Sequence, residues 1–356
     1  MASDESTEAD AIGEDSSAES TVFDVTADYE QSTLDYYQNQ FDIWVVEPFK
    51  ILWSDYRGRF GIIVVAFYIL MGTLGPVIVP APEPNQAGRL IQPFENPSHI
   101  LGTDGLGQDL FGLMVHATPA MLKMILSGAI AGSVTGVILG IIAGYKGGWT
   151  DKVIMTWGDT IASIPGIPLL ILLAAIIEPE NPFVIGIILN ITGIAGASRG
   201  IRAQVLPLAE KEHVEAARAQ GQSFSGLIVK EFLPHLLPLI FIGMLGGAVA
   251  VITASVALYF LGILPFTTQN WGVVLNIAYQ ESGAMYNPRA RHWLLVPLVT
   301  LTLLNIALTM LAQAFDQVFN PRVRARHRGR KVEAEETDEE EATNVDSELI
   351  GGQMQQ

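Results

Sequence analysis

Six uncharged runs of 16 to 27 residues decide what this 356-residue chain can become: residues 61–80, 124–144, 160–177, 183–198, 236–262 and 293–315. A hydrocarbon core about 30 Å thick is crossed by about 20 mostly apolar residues in an α-helix. Lipid offers no partner to a backbone N–H or C=O, so each run has to satisfy its own polar groups as a helix. The chain therefore reads as an all-α polytopic membrane protein with about six transmembrane helices. The 183–198 run is short and needs a few more residues at either end to span. Composition agrees, with 16% charged residues against the roughly 25% usual in soluble domains.

The net charge of −17 belongs to the ends of the chain. Residues 1–49 hold thirteen acidic side chains and no Lys or Arg, and residues 333–348 hold nine more acids. Between them, residues 50–332 carry a net charge of +5. Such acidic ends bury too little apolar surface to offset chain entropy, so both are expected to be disordered. This divides the chain into an acidic N-terminal extension (1–49), a transmembrane domain (50–321) and a basic-then-acidic tail (322–356). The acidic start lacks the basic region of a cleaved signal peptide. The absence of cysteine excludes disulfides and thiolate metal sites.

Basic residues set orientation. With the N-terminus inside, inner segments hold sixteen Lys and Arg, and outer segments hold four: Arg89, Lys123, Arg289 and Arg291. Both termini and the segment 199–235 are then cytoplasmic, and the polar Pro- and Gly-rich stretch 81–118 is an outer loop. In the second run, Gly128, Gly132, Gly136 and Gly140 recur every four residues. That spacing lines one helix face and lets another backbone come close. Pro165, Pro168 and Pro297 mark sites of bending.

Carriers and channels that couple to ions hold ionisable side chains at mid-membrane depth. Here Asp159 and Asp316 stand at the ends of the third and sixth runs, where they read as interfacial or capping carboxylates. No G-x-x-x-x-G-K-[ST] loop, no HExxH and no Ser/His/Asp pattern occurs, and the six histidines are scattered. The chain is thus expected to have no catalytic residue, no metal site and no cofactor of its own. Its energy has to come from a partner.

The charged segment 199–238 fits that requirement. It predicts a helix over about 208–219, with Glu210, Glu212 and Glu215 early and Arg218 late, matching the helix dipole. Gly221 is placed to stop it in the left-handed conformation. A second short helix runs from an N-cap at Ser223 to Phe232, and Pro234 falls in the first turn of the fifth span. Ala216 and Ala217 leave a shallow surface for a partner. The connection 199–231, 33 residues, is long for a simple linker, and such loops are commonly functional.

Glu215, Ala216, Ala217, Gly221, Leu233 and Pro234 match the E-A-A-x3-G-x11-L-P spacing of the EAA motif. The chain thereby resembles a binding-protein-dependent ABC importer permease. NPSHILGTDGLGQDLF (96–111), GGWTDKVIMTWGDTIASIPGIPLL (147–170) and ALYFLGILPFTTQNWGVVL (257–275) are similar to blocks of the dipeptide/oligopeptide/nickel group, in its C-type subunit. Gly105, Gln108 and Phe266-Thr267 depart from that pattern. The resemblance covers about residues 45–321 and implies a type I importer permease fold in the plasma membrane. It implies a homologous permease subunit as heterodimer partner, two ATP-binding subunits that use ATP and Mg, an extracytoplasmic substrate-binding protein, and no nucleic acid. The EAA residues would be the coupling helix that docks on an ATPase. The implied cargo is peptide, with oligosaccharide or nickel as alternatives; a secondary carrier or channel with a regulatory loop is the alternative from another class.

Overall fold

The computed structural model describes residues 47–266, 270–280 and 283–319. The acidic extension and the tail fall almost entirely outside the described residues. Contacts divide the chain between Phe49 and Lys50; of the first unit only the opening turn of α1 (Glu47–Ser54) is described. The second unit, from Lys50 onward, holds all the other described residues.

Its elements are α2 (Tyr56–Thr73), α3 (Gly75–Ile78), α4 (Leu110–Lys146), α5 (Gly148–Ser163), α6 (Gly166–Ile177), α7 (Pro182–Leu189), α8 (Ile191–Ala209), α9 (Glu212–Ala219), α10 (Phe224–Leu227), α11 (Leu233–Phe260), α12 (Trp271–Gln280) and α13 (Arg291–Phe319). Helix α4, 37 residues and about 55 Å long at 1.5 Å per residue, is the central post. Helices α7 and α8 lie along one side of it and α11 along another, while α13 packs on α2 and α11.

Among the described residues three helices are long and apolar enough to cross a membrane, Leu110–Lys146, Phe224–Phe260 and Pro288–Gln317, and the number is five if each of two bent pairs is one span. The first of the six expected runs falls on α2 and α3. Helix α2 ends at Thr73 and Pro76 sits in the first turn of the next short helix, because proline cannot donate to the preceding turn. The third run is no straight span either. Helices α5 and α6 meet at 95° around Ile164-Pro165, the site of bending that proline announced. The fourth is bent by 51° at Asn190, a residue type that favours helix starts but that the apolar run alone did not single out.

The expected loop 81–118 is shorter than read, because α4 starts at Leu110. Asp109 caps it, its carboxylate accepting from the Gly112 N–H at 2.7 Å, and buried Leu110, Met114 and Met121 carry the helix into the core. The core also holds α12, a helix the hydrophobic runs did not reveal. Trp271 is fully buried; its indole donates to the Met114 carbonyl at 3.3 Å and its ring meets Tyr68 edge-on at 5.6 Å. Asn270 caps α12 through Gly272 N–H at 2.8 Å.

The glycine face of α4 does what its spacing implied. A Cβ on Gly128 would strike the Gly186 carbonyl and Val251 Cγ2, on Gly136 the Ala197 methyl, and on Gly140 Ile201 Cβ at 2.6 Å. Helices α7 and α8 therefore lie backbone to backbone on α4. Gly128→Val is expected to destabilise the fold by about 1–3 kcal/mol through overpacking. Gly196→Val meets nothing within 4 Å and is expected to stay within about 0.5 kcal/mol of the parent. Thermal-inactivation midpoints in detergent test this, and equal midpoints for the two variants would contradict the close approach.

Candidate functional site

Between α8 and α11 the chain makes a short helix, a glycine turn and a second helical entry, held against the body by an apolar cluster. Helix α9 is shorter than the predicted 208–219 helix. Leu208 is buried with Val205 as the last turn of α8, so α9 starts at Glu212, with Lys211 as its N-cap, and Glu210 lies outside it. Glu212 and Glu215 occupy its first turn and Arg218 its last, the arrangement the dipole favours.

Gly221 ends the helix as anticipated, at φ +78°. The Gly221 N–H donates to the Arg218 carbonyl at 3.0 Å and the Gln222 N–H to the Ala217 carbonyl at 3.1 Å. These two bonds satisfy carbonyls the helix end leaves open, and the left-handed residue between them makes both reachable. Ser223 caps the next segment, its hydroxyl accepting from Gly226 N–H at 3.3 Å.

The second predicted helix, 223–232, is not a separate element. Helix α10 passes through a widened turn, Ile228–Phe232, directly into α11. The Leu233 N–H reaches back five residues to the Ile228 carbonyl. That extra residue lets the chain pass Pro234 without stopping. Leu233 and Pro234 are the first two residues of α11, both half-buried.

Val214 and Phe232 are fully buried, and Leu227 nearly so, in a cluster with Ile201, Val205 and Leu236. Tyr145, at the end of α4, stacks on Phe224 at 5.1 Å and meets Phe232 edge-on at 5.6 Å. The Arg218 guanidinium lies over the Tyr145 ring, 5.3 Å from its centre. Helix α9 thus has two sides. Val214 and half-buried Ala217 face the cluster, whereas Glu215, Ala216 and Arg218 are exposed. Ala217 is small because it packs inward; Ala216 is the residue that leaves outward space.

The aspartates of the 147–170 block brace this region. Asp151 receives the Arg202 guanidinium through two bonds, at 2.5 and 2.6 Å, and Asp159 pairs with Arg199 at 3.1 Å rather than capping a helix. Both tie α5 to α8. Two histidines that looked scattered come together here: His213 and His235 stack at 6.2 Å, with Glu231 3.7 Å from His213 Nε2. Their separation of 22 residues in sequence hid this contact. Among the described residues no group of three or more His, Asp or Glu side chains could hold a metal ion.

The 96–111 block is a folded loop. Thr103 and Asp104 are buried; the Asp104 carboxylate accepts from Leu106 and Gln108 N–H at 2.8 and 2.7 Å. The Thr103 hydroxyl donates to Gly88 O at 2.6 Å, and Asp109 meets His99 Nδ1 at 3.1 Å. Gly105 departs from the common pattern for a packing reason, since a Cβ there would come within 2.8 Å of the Trp293 ring. Gln108 contributes its backbone N–H and C=O to the Asp104 turn.

Comparison with known proteins agrees with this architecture. Residues 136–325 match the model of the binding-protein-dependent transport system inner membrane component. The chain is 29% identical over 285 residues to a dipeptide transport system permease protein of Alkalihalophilus pseudofirmus, covering 78% of this chain and 90% of the relative. It is 30% identical over 234 residues to an oligopeptide transport system permease protein of Bacillus subtilis, covering 63% and 76%. An oligopeptide transport system permease protein of Haemophilus influenzae is 27% identical over 238 residues, 64% of this chain and 76% of its own. The matched region contains α9, the glycine turn and the entry to α11, and the chain belongs to the family of binding-protein-dependent transport system inner membrane components.

Proposed function

We propose that this chain is one of two homologous permease subunits in an ATP-driven peptide importer of the plasma membrane. Both its termini and the α8–α11 connection face the cytoplasm, as the excess of Lys and Arg on that side argues. Two ATP-binding subunits, using ATP and Mg, supply the energy, and an extracytoplasmic binding protein delivers the cargo. Peptide is the cargo class because the relatives at 29–30% identity are named as dipeptide and oligopeptide permeases.

One observation carries the coupling role: α9 is a short helix fixed from behind and bare in front. Val214 is fully buried beneath it while Glu215 and Ala216 are exposed. A push on that face moves the buried cluster, and through it the inner ends of α4, α8 and α11, as a rigid body. Glu215, Ala216, Ala217, Gly221, Leu233 and Pro234 are accordingly assigned as the ATPase-coupling residues.

The chain has no cysteine, so Ala216→Cys places one thiol on the proposed docking face. In the assembled transporter, a short bismaleimide is expected to join this chain to an ATP-binding subunit carrying a cysteine in its docking groove. Trp149→Cys, on an exposed residue of α5, is the comparison. No crosslink at residue 216, or equal crosslinking at both positions, would remove the assignment.

A further inference from the structure

The bend at Asn190 opens a cavity of about 360 Å³ between α4, α8 and α11, lined by Gly132, Ser133, Asn190, Gly196, Gly243 and further small or aliphatic residues. No lining side chain is charged. A Cβ added to Gly196, Gly243 or Gly246 would meet nothing within 4 Å. These glycines therefore differ from those of α4, which are filled by neighbours.

Two polar side chains reach this space with hydrogen-bonding capacity left over. Asn190 is 4% exposed and Ser133 is 8% exposed. Asparagine is a strong N-cap residue, yet Asn190 does not cap α8 with its side chain. Its amide nitrogen instead donates across to the Gly128 carbonyl on α4 at 2.7 Å. That bond fixes which way the amide faces and turns Oδ1 away from Gly128. Oδ1 lies against Gly193, where any Cβ would collide with it. Asn190 and Ser133 both line this space, and the bond from Asn190 to α4 uses its amide nitrogen and not Oδ1. Both side chains therefore present polar atoms to whatever enters the cavity.

We propose that this cavity is a main-chain subsite of the transport path, where Asn190 Oδ1 accepts a peptide N–H and the Ser133 hydroxyl donates to a peptide C=O. The inference rests on the peptide-importer reading and deepens it. A metal cation or phosphate would require charged groups to offset its desolvation, and the lining supplies none. A transmembrane helix of a second subunit has its N–H and C=O groups committed internally, whereas an extended peptide presents them along its edge. A glycine floor lets that backbone approach closely without selecting side chains. The path would therefore recognise the amide backbone and leave sequence choice to the binding protein.

The test uses the complete transporter in proteoliposomes, with trialanine and hexaalanine as probes. Ser133→Cys introduces the chain's one thiol, and Ile138→Cys, on the same helix at an exposed position, is the reference. Alkylation of this chain by N-ethylmaleimide is expected to slow at least fivefold at residue 133 when peptide-loaded binding protein and ATP are added, with no change at residue 138. Ser133→Ala is expected to raise the half-saturating trialanine concentration about tenfold, the equivalent of one hydrogen bond. N-methylated trialanine, which lacks the amide N–H groups, is expected to lose less in the Asn190→Leu variant than in the parent. Import by the parent with unchanged labelling at residue 133 would overturn the subsite and leave the importer reading standing. A residue 133 thiol that is unreactive with and without peptide would mean a partner helix covers the cavity, and would likewise overturn it. If the parent imports neither peptide, the cargo class itself fails and the subsite falls with it.

Discussion

Gly221→Val is expected to reduce ATP-driven uptake more than tenfold while the chain still inserts and assembles. The reason is backbone geometry. Gly221 sits at φ +78° and a Cβ there would meet nothing within 4 Å, so the substitution is not a steric clash. An ordinary L-residue pays about 1–2 kcal/mol in the left-handed region, and a β-branched one more. The chain escapes that cost by unwinding the turn, which breaks the bonds from Gly221 and Gln222 to the last carbonyls of α9. Gly221→Asn, which tolerates this region, is expected to restore most of the uptake. Glu215→Lys tests the same element without touching its fold. Reversing a charge in the first turn of an exposed helix costs about 0.3–1 kcal/mol, too little to unfold it. Its expected loss of uptake with persisting ATP hydrolysis therefore reports on the proposed docking face. Normal uptake in both Gly221→Val and Glu215→Lys would withdraw the coupling assignment.

Phe232→Ala is expected to loosen α9 from behind. Phe232 is fully buried, and its ring is the edge partner of Tyr145 at 5.6 Å. Removing it leaves a cavity, at a cost of about 3–5 kcal/mol for a large aromatic. The cluster it anchors also holds Val214 and Leu227, so much of that cost falls on the α9 attachment. Amide hydrogen exchange over residues 212–222 is expected to quicken at least a hundredfold, while α4 residues near Met121 change little. A uniform increase across both regions would show that the cluster is part of one cooperative core rather than a local anchor.

Much of this was legible in local sequence. The six apolar runs located the membrane-grade segments though not their breaks, the four-residue glycine spacing in α4 gave a close-packed face, and Gly221 and Ser223 announced a stop and a start. These signals are short-range, set by residues within a turn or two of each other. What escaped the sequence depends on contacts between distant segments. The fourth span bends at Asn190, whose side chain bonds to α4, 62 residues away. Helix α12 is too short to register as a hydrophobic run and is stabilised by burial of Trp271. Tyr145 joins the apolar cluster behind α9 because α4 is long enough to reach Phe224. The second helix of the loop merged with α11 because a widened turn accommodated Pro234, which propensity alone marks as a boundary.

This chain is expected to transport only as the membrane half of an ATP-driven assembly. The direct measurement is peptide uptake into proteoliposomes containing this chain alone, or with its permease partner, ATP-binding subunits and binding protein, under an imposed ion gradient or with internal ATP. Uptake is expected only in the complete assembly and only with ATP. Gradient-driven uptake by the chain alone would contradict the account.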